Sequence, residues 1–354
     1  MNITEYMGAH GHEQLSVWTD PSAGLRAFIA IHDTTLGPAL GGVRIWPHPT
    51  EEAAIMDVLR LSRAMTYKSA AAGLPLGGGK GLIVADSRTD KTEAMFRSYG
   101  RFVDSLGGRF ITTEDVGAST QDLEWASQST KHVVGLSMEK GGSGNPAVVT
   151  GFGVFQAMRA CAVSAWGSDD LNGRTVALQG YGNVATSLAI YLLEVGAKLI
   201  ITDIREERRV DARRLGDRVS VVAPDKILSQ NCDILAPCAL GGVLNAKSIP
   251  QLQAQVVCGS ANNQLAELAD DKRLADRGIL YGPDYVANAG GIINVYYELG
   301  GVYDHKRAME RTSRIYDTML RVIEDSKEKG VSTAVAADAL AEERLRMALS
   351  ERLA

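Results

Sequence analysis

The chain has 354 residues, with 37 Lys and Arg against 42 Asp and Glu and a formal net charge of −5. At 45% hydrophobic and 22% charged residues it has the make-up of a folded globular protein, long enough for two domains with full cores, which excludes a disordered chain. The mildly acidic balance gives no footprint for nucleic acid, and glycine is the one outlier, at 37 residues.

Near Met1 no basic-then-apolar leader occurs, and no run of about 18 apolar residues follows, so neither a signal peptide nor a membrane span is expected and the setting is cytoplasmic. Residues 25–31 read as a strand. Residues 51–72 read as a helix, with Thr50 as N-cap and Glu51 and Glu52 in the first turn. Apolar runs at 82–85 and 109–112 are expected strands, with a helix at about 91–105. The run Lys140-Gly141-Gly142-Ser143-Gly144-Asn145-Pro146 marks a seam. Beyond it the rhythm changes. Strands are expected at 175–179, 198–202, 219–222, 234–236, 256–258 and 279–281, the first followed by a helix to about 195. Such alternation signals a parallel, doubly wound sheet. Residues 305–350 read as charged helix that packs back on the first domain. The expected architecture is α/β in two domains: a mixed α/β domain at 1–145, joined by a C-terminal helix at about 331–354, and a Rossmann-type domain at 146–330.

Cys161, Cys232, Cys238 and Cys258 form no CxxC pair, and the six histidines show no ligand spacing. No metal site is therefore expected; buried free thiols and surface or packing histidines are.

The stretch Val176-Ala177-Leu178-Gln179-Gly180-Tyr181-Gly182-Asn183-Val184-Ala185 reads strand, G-x-G-x-x-A, helix. Gly180 permits a tight turn, Gly182 lets backbone approach a pyrophosphate, and Ala185 allows close helix–strand packing. The phosphates would meet the free N–H groups and positive end of the helix. Asp203 ends the next strand, where a carboxylate accepts from the ribose hydroxyls and disfavours a 2′-phosphate. NAD is the expected cofactor, with Arg205 the one nearby residue that argues otherwise.

Chemistry is concentrated earlier. Lys68 and Lys80 bracket the run Gly73-Leu74-Pro75-Leu76-Gly77-Gly78-Gly79, with Gly81 following. This is not a P-loop, and the glycines suggest backbone close to a ligand. A lysine in a small, dry site can act as a base near neutral pH. Asp115 lies just past an expected strand end, a good place for proton transfer. Asn262, Asn263 and Asn288 fall after strands of the second domain, where such sheets bind ligands. Turn chemistry explains those asparagines equally well.

These residues together resemble the glutamate/leucine/phenylalanine/valine family of amino-acid dehydrogenases. The matching stretches are Ile31 to Gly42, Lys68 to Lys80, Thr113 to Gly117, the dinucleotide fingerprint, Pro237 to Gly241, Ala261 to Gln264, and Pro283 to Gly291. They span nearly the whole chain and fit the branched-chain subgroup. The resemblance implies a catalytic and oligomerising first domain, a homo-oligomer, and NAD-dependent oxidative deamination of small aliphatic L-amino acids. It implies Lys80 and Asp115 as catalytic residues and Lys68 as holder of the substrate carboxylate. Leu40, Gly41, Met65, Thr113, Asn263, Ile292 and Val295 would lie near substrate. Thr150, Gly180, Gly182, Asn183, Val184, Asp203, Ile204, Cys238, Ala239, Asn262 and Asn288 would lie near the cofactor.

In the family's glutamate enzymes a lysine stands where Leu40 stands here. Leu40, Met65, Ile292 and Val295 leave a distal carboxylate unsatisfied, so glutamate should be rejected. Thr113, Val134 and Ser260 depart from the usual alanine, threonine and alanine of the leucine enzymes. Three other readings compete: an aromatic amino-acid dehydrogenase of the same fold, a catalytically dead NAD sensor, and a 2-hydroxy-acid dehydrogenase, whose His–carboxylate pair is not found.

Overall fold

The computed structural model describes residues 2–353. It divides into two compact units. One contains the chain up to Asn145, with Val295–His305 and the stretch from Ala341; the other contains Pro146–Asn294 and Lys306–Leu340.

The first unit opens with helix α1 (Ile3–His10) and strands β1 (Gln14–Asp20), β2 (Leu25–Asp33) and β3 (Ala39–Ile45). Helix α2 (Glu51–Ala71), strand β4 (Gly77–Ile83), helix α3 (Glu93–Ser105), strand β5 (Phe110–Glu114) and helix α4 (Thr120–Ser127) follow. The sheet runs β1-β2-β4-β3-β5. β2 is antiparallel to β1 and β4, while β3 is parallel to β4 and β5. Its two faces carry separate cores. Phe28, Ala30 and Leu82 pack with Ala54, Ile55, Val58 and Leu59 of α2. Ile29, Val43, Ile83 and Phe110 pack with Phe96, Tyr99 and Val103 of α3.

α2 starts where its cap directs: the Thr50 side chain accepts from the Ala53 N–H, with Glu51 and Glu52 at the positive end. Its buried stripe changes character along its length, from Ile55, Val58 and Leu59 to Ser62, Thr66, Ser69 and Ala70. The small half lies against the glycine run. At Gly78 a Cβ would overlap the Thr66 backbone nitrogen, and at Gly81 it would overlap the Tyr99 hydroxyl. This corrects the sequence expectation on the strand's bounds. Strand β4 begins at Gly77 and is buried throughout, whereas the strand was expected only at 82–85. Its glycines make room for neighbouring protein atoms. Gly41 is similar, its absent Cβ making way for the Gly79 carbonyl.

The second unit begins with α5 (Ala147–Trp166) and alternates β6 (Thr175–Gln179), α6 (Asn183–Glu194), β7 (Lys198–Thr202), α7 (Glu206–Arg213) and β8 (Val219–Val221). It continues with β9 (Ile234–Pro237), β10 (Val256–Val257), α8 (Ala269–Asp276), β11 (Leu280–Tyr281), α9 (Asp284–Ala287) and α10 (Gly290–Tyr296), whose last two residues go with the first unit. All six strands are parallel, in the order β11-β10-β9-β6-β7-β8. The strand order reverses at β6, and ligands of open parallel sheets bind at that switch point.

The chain closes with α11 (His305–Ser313), α12 (Ile315–Lys329) and α13 (Thr333–Leu353). Here the sequence expectation needs a second correction. Lys306–Leu340 goes with the second unit, and only the stretch from Ala341 with the first. The cause is the apolar stripe Ile315, Met319, Val322 and Ile323, which is buried as α12 packs on α5. Further on, Arg344 reaches the Ala70 and Ala71 carbonyls at 2.6 Å and caps the end of α2. The Glu298 carboxylate similarly ties 295–305 to the first unit, accepting from the N–H groups of Gly135 and Ser143.

Among the described residues one helix, α5, is long and apolar enough to cross a membrane by length and composition alone, although Thr150, Gln156, Arg159 and Ser164 interrupt its apolar run. Most of it is buried in the second unit's core.

Candidate active site

In the first unit the candidate residues converge on one sheet face. Lys80 pairs with Ala30, which belongs to the α2-side core. Strand alternation therefore directs Lys80 to that side. The same alternation places Leu40, Gly42 and Arg44 of β3 there, with Thr113 and Asp115, since Val43 and Phe110 face the other core. Lys80 is 4% exposed, and its Nζ lies 2.9 Å from Asp115 Oδ2. Arg44 Nε donates to the same oxygen at 3.0 Å. Burial pushes the Asp115 carboxyl up, but the charges of Lys80 and Arg44 outweigh it and hold the group down at about 2. Lys80 is thus buried opposite a carboxylate rather than isolated among apolar groups. Met65 and Lys68 lie half-buried on α2, one turn apart. Leu40 and Val295 are buried.

In the second unit the candidate cofactor residues gather at the carboxyl ends of the strands. Gly180 leaves β6 at φ +98°, and a Cβ there would sit 2.7 Å from that of Ala239. Cys238 N–H donates to the Gln179 carbonyl at 2.8 Å. The Cys238 side chain is only partly buried by exposure, yet it bonds Ser260, and burial pushes its thiol up. Gly182 caps α6 without a side-chain bond, and the space where its Cβ would stand is open. The N–H groups of Asn183 and Val184 therefore begin a helix whose capping position is left for an anion. Asp203 follows β7 and accepts from the backbone N–H groups of Tyr181 and Arg205, each at 2.9 Å. Burial raises its carboxyl, but these bonds outweigh it and hold the group below its ordinary value. Arg205 Nε is 3.6 Å from it, and Ile204 is 85% exposed.

Asn288 is buried and donates to Asn262 Oδ1 at 2.8 Å and to the Ser260 carbonyl at 3.1 Å. Its own Oδ1 has no partner, an orphan acceptor that suits an amide-bearing ligand. Thr150 Oγ1 donates to the Pro146 carbonyl, and Gly290 makes way for Val149 and Thr150. Asn263 holds φ +51°, the one positive value outside glycine among the described residues. Ile292 is buried. The open α6 terminus, the acidic residue after β7 and the orphan amide oxygen together fit a dinucleotide. Among the described residues no group of three or more His, Cys, Asp or Glu side chains is placed to hold a metal ion.

A model of the Glu/Leu/Phe/Val dehydrogenase dimerisation domain matches residues 12–132. One of Glutamate/Leucine/Phenylalanine/Valine dehydrogenase matches 141–204 and 200–352. The chain belongs to this dehydrogenase family. It is 52% identical to the leucine dehydrogenase of Bacillus cereus over 98% of this chain and 94% of that protein. It is 49% identical to the valine dehydrogenase of Streptomyces virginiae, over 95% and 94%. A crystal structure of the L-tryptophan dehydrogenase from Nostoc punctiforme superposes with a TM-score of 0.87 at 47% identity, over 98% of this chain and 99% of that one.

Two residues beside Asp115 lay outside the sequence expectations. Gly42 is only the end of the matching stretch from Ile31, and Arg44 lies outside every such stretch. A Cβ on Gly42 would overlap the Glu114 carbonyl and stand 2.8 Å from Asp115 Cβ. The glycine thus makes space for Asp115 across β3. Gly42→Ala should lower stability by about 1–3 kcal/mol, the usual cost of overpacking. Urea unfolding measures this, and a wild-type midpoint would mean that β5 shifts freely. The available signal was register: Gly42 and Arg44 share one strand face, a fact hidden until β3 is recognised as a strand.

Proposed function

We propose that this chain is a leucine dehydrogenase. It carries out the reversible, NAD-dependent oxidative deamination of L-leucine, L-valine and L-isoleucine to 2-oxo acid, ammonium and NADH. The observation that carries the reading is the buried Lys80–Asp115 pair, 2.9 Å apart on one sheet face. Imine hydrolysis needs both a proton acceptor and a donor, and an amine beside a carboxylate supplies them.

NAD, when bound, supplies the acceptor for the hydride leaving the substrate Cα. Gly180, Gly182, Asn183, Val184, Asp203, Ile204, Cys238, Ala239, Asn262, Asn288 and Thr150 would hold it. Lys68 pairs the substrate α-carboxylate. As the Cα–H bond breaks, the amino group loses a proton through Asp115 and the C–N bond becomes an imine. Neutral Lys80 takes a proton from water as its oxygen adds to the imine carbon. Asp115 returns a proton to nitrogen; as the C–N bond breaks and ammonia leaves, the hydroxyl O–H proton passes back to the Asp115 carboxylate and the C=O of the 2-oxo acid forms.

Leu40, Gly41, Met65, Thr113, Asn263, Ile292 and Val295 are the proposed substrate neighbours. Beyond Lys68 they bring no cation, so a buried distal carboxylate has no partner. Identity to the leucine and valine dehydrogenases supports an aliphatic substrate. Similarity to an L-tryptophan dehydrogenase favours an aromatic substrate as the second reading. A homo-oligomer is part of the proposal, supported by the match to the dimerisation domain. A cytoplasmic setting accords with four free cysteines.

The test is kcat/KM for NADH formation across leucine, valine, isoleucine, phenylalanine, tryptophan and glutamate. The aliphatic three should lie within about 10–200-fold of one another, as a methylene or two allows, with glutamate negligible. A preference for tryptophan would establish the second reading. Thr113→Ala should raise kcat/KM for the longer side chains relative to valine. Unchanged ratios would remove Thr113 from the pocket.

A further inference from the structure

Asp115 receives two cations on one oxygen. Lys80 Nζ lies 2.9 Å and Arg44 Nε 3.0 Å from Oδ2. Among the described residues none bonds Oδ1. Arg44 is itself held, for its Nη1 donates to Asp57 Oδ2 on α2 at 3.1 Å. The His48 ring nitrogen Nε2 stands 3.3 Å from that same Asp57 oxygen. A chain of polar contacts therefore runs Lys80–Asp115–Arg44–Asp57, from β4 through β3 to α2, and ends on the His48 ring.

We infer that Arg44 is a positioning residue for the reaction: clamped by Asp57, it occupies Asp115 Oδ2 and leaves Oδ1 as the oxygen that exchanges protons with the substrate nitrogen. This rests on the amino-acid dehydrogenase reading. Arginine suits the task because Nε and Nη1 point in fixed directions from one planar group and bridge two carboxylates. Lysine has one nitrogen and cannot span both. The charged groups on Asp115 are Lys80 from β4 and Arg44 from β3. Asp57 and His48 act through Arg44. With the guanidinium in place the carboxyl titrates at about 2; without it, one of the two opposing cations is gone and burial pushes the group upward.

The test uses Arg44→Met, which keeps much of the aliphatic stem and removes the donors, beside Arg44→Lys and Asp57→Asn. Three readouts are taken: steady-state kinetics with L-leucine, NADH binding by fluorescence, and titration of 13C-labelled aspartate carboxylates. Arg44→Met should lower kcat on the order of 10²-fold, the low end of what a proton-transfer group contributes. It should leave NADH affinity and the leucine KM within a few-fold. The Asp115 midpoint should rise from about 2 toward or beyond its ordinary 3.8. Arg44→Lys should recover part of both effects, and Asp57→Asn should lose less than Arg44→Met. A wild-type kcat, or an Asp115 midpoint that stays put in Arg44→Met, overturns the inference. So does loss of kcat with an unmoved midpoint, which marks a merely structural role. If wild-type protein shows no leucine-dependent NADH formation, the functional reading fails instead. The carboxylate titration still decides whether Arg44 governs Asp115.

Discussion

Replacing Lys80 by alanine should lower turnover at least 10²- to 10⁴-fold, the contribution expected of a positioned acid–base group. NAD affinity should survive. The substituted side chain belongs to β4 of the first unit, whereas the glycine turn, Asp203 and the Asn262–Asn288 pair all belong to the second. Removing the ammonium also leaves Asp115 with only Arg44 as a partner on Oδ2. A buried ion pair broken from one side costs about 3–5 kcal/mol, and retained Arg44 should offset part of that. Measuring kcat together with NADH fluorescence titration separates these outcomes. Residual turnover near wild type would show that another group handles the water. Loss of NADH binding would show that the variant has lost its fold rather than its chemistry.

Acid should destabilise the protein well before Asp115 titrates. The cause lies in a histidine cluster beneath α2. The buried His32 has Nε2 2.9 Å from the His10 carbonyl, so that nitrogen carries the proton. Its Nδ1 then accepts from the Thr66 hydroxyl at 2.8 Å. The His12 ring packs edge-on at 4.8 Å. Burial drives the His32 pKa down to about 4 from 6.5. The folded state therefore binds fewer protons than the unfolded chain between these values. The stability that His32 contributes is complete above pH 6.5 and lost as pH falls to about 4. At ~1.4 kcal/mol per unit this amounts to about 3 kcal/mol. His12, also lowered by burial, acts in the same direction. Asp115 has a lowered pKa of the acidic kind, so its contribution fades only below about 3.8, and the two windows separate. Urea unfolding at pH 7.5 and pH 4.5 measures the loss, and His32→Gln should show a smaller one. Equal losses in both proteins would mean that other groups carry the acid sensitivity.

The second unit was the more legible part of the chain. Its strands are short apolar runs at regular intervals, and Gly180, Gly182, Ala185 and Asp203 have defined physical jobs at fixed spacing. Residues 198–202 and 175–179 accordingly read as the strands they are. The first unit was harder. β1 has four polar residues in seven, and β3 carries Gly41 and Gly42 in its middle. β4 begins Gly-Gly-Gly. Local propensity disfavours strands at such sites, and only packing against α2 and Tyr99 explains them. Arg44 stayed hidden for the same reason, since an arginine in an unrecognised strand has no face and no neighbours. The helices after 305 read correctly as helices. Their allegiance to a unit depends on tertiary burial of Ile315, Met319, Val322 and Ile323, which periodicity alone does not assign.

In the proposed reaction the buried Lys80–Asp115 pair serves amine chemistry on an aliphatic substrate. The most direct test is product stoichiometry with L-leucine and NAD at alkaline pH, where removal of the proton released in the oxidative direction draws the reaction forward. NADH, ammonium and the 2-oxo acid should appear in equal amounts. NADH without ammonium, or no NADH from leucine under conditions where glutamate is turned over, would contradict the account.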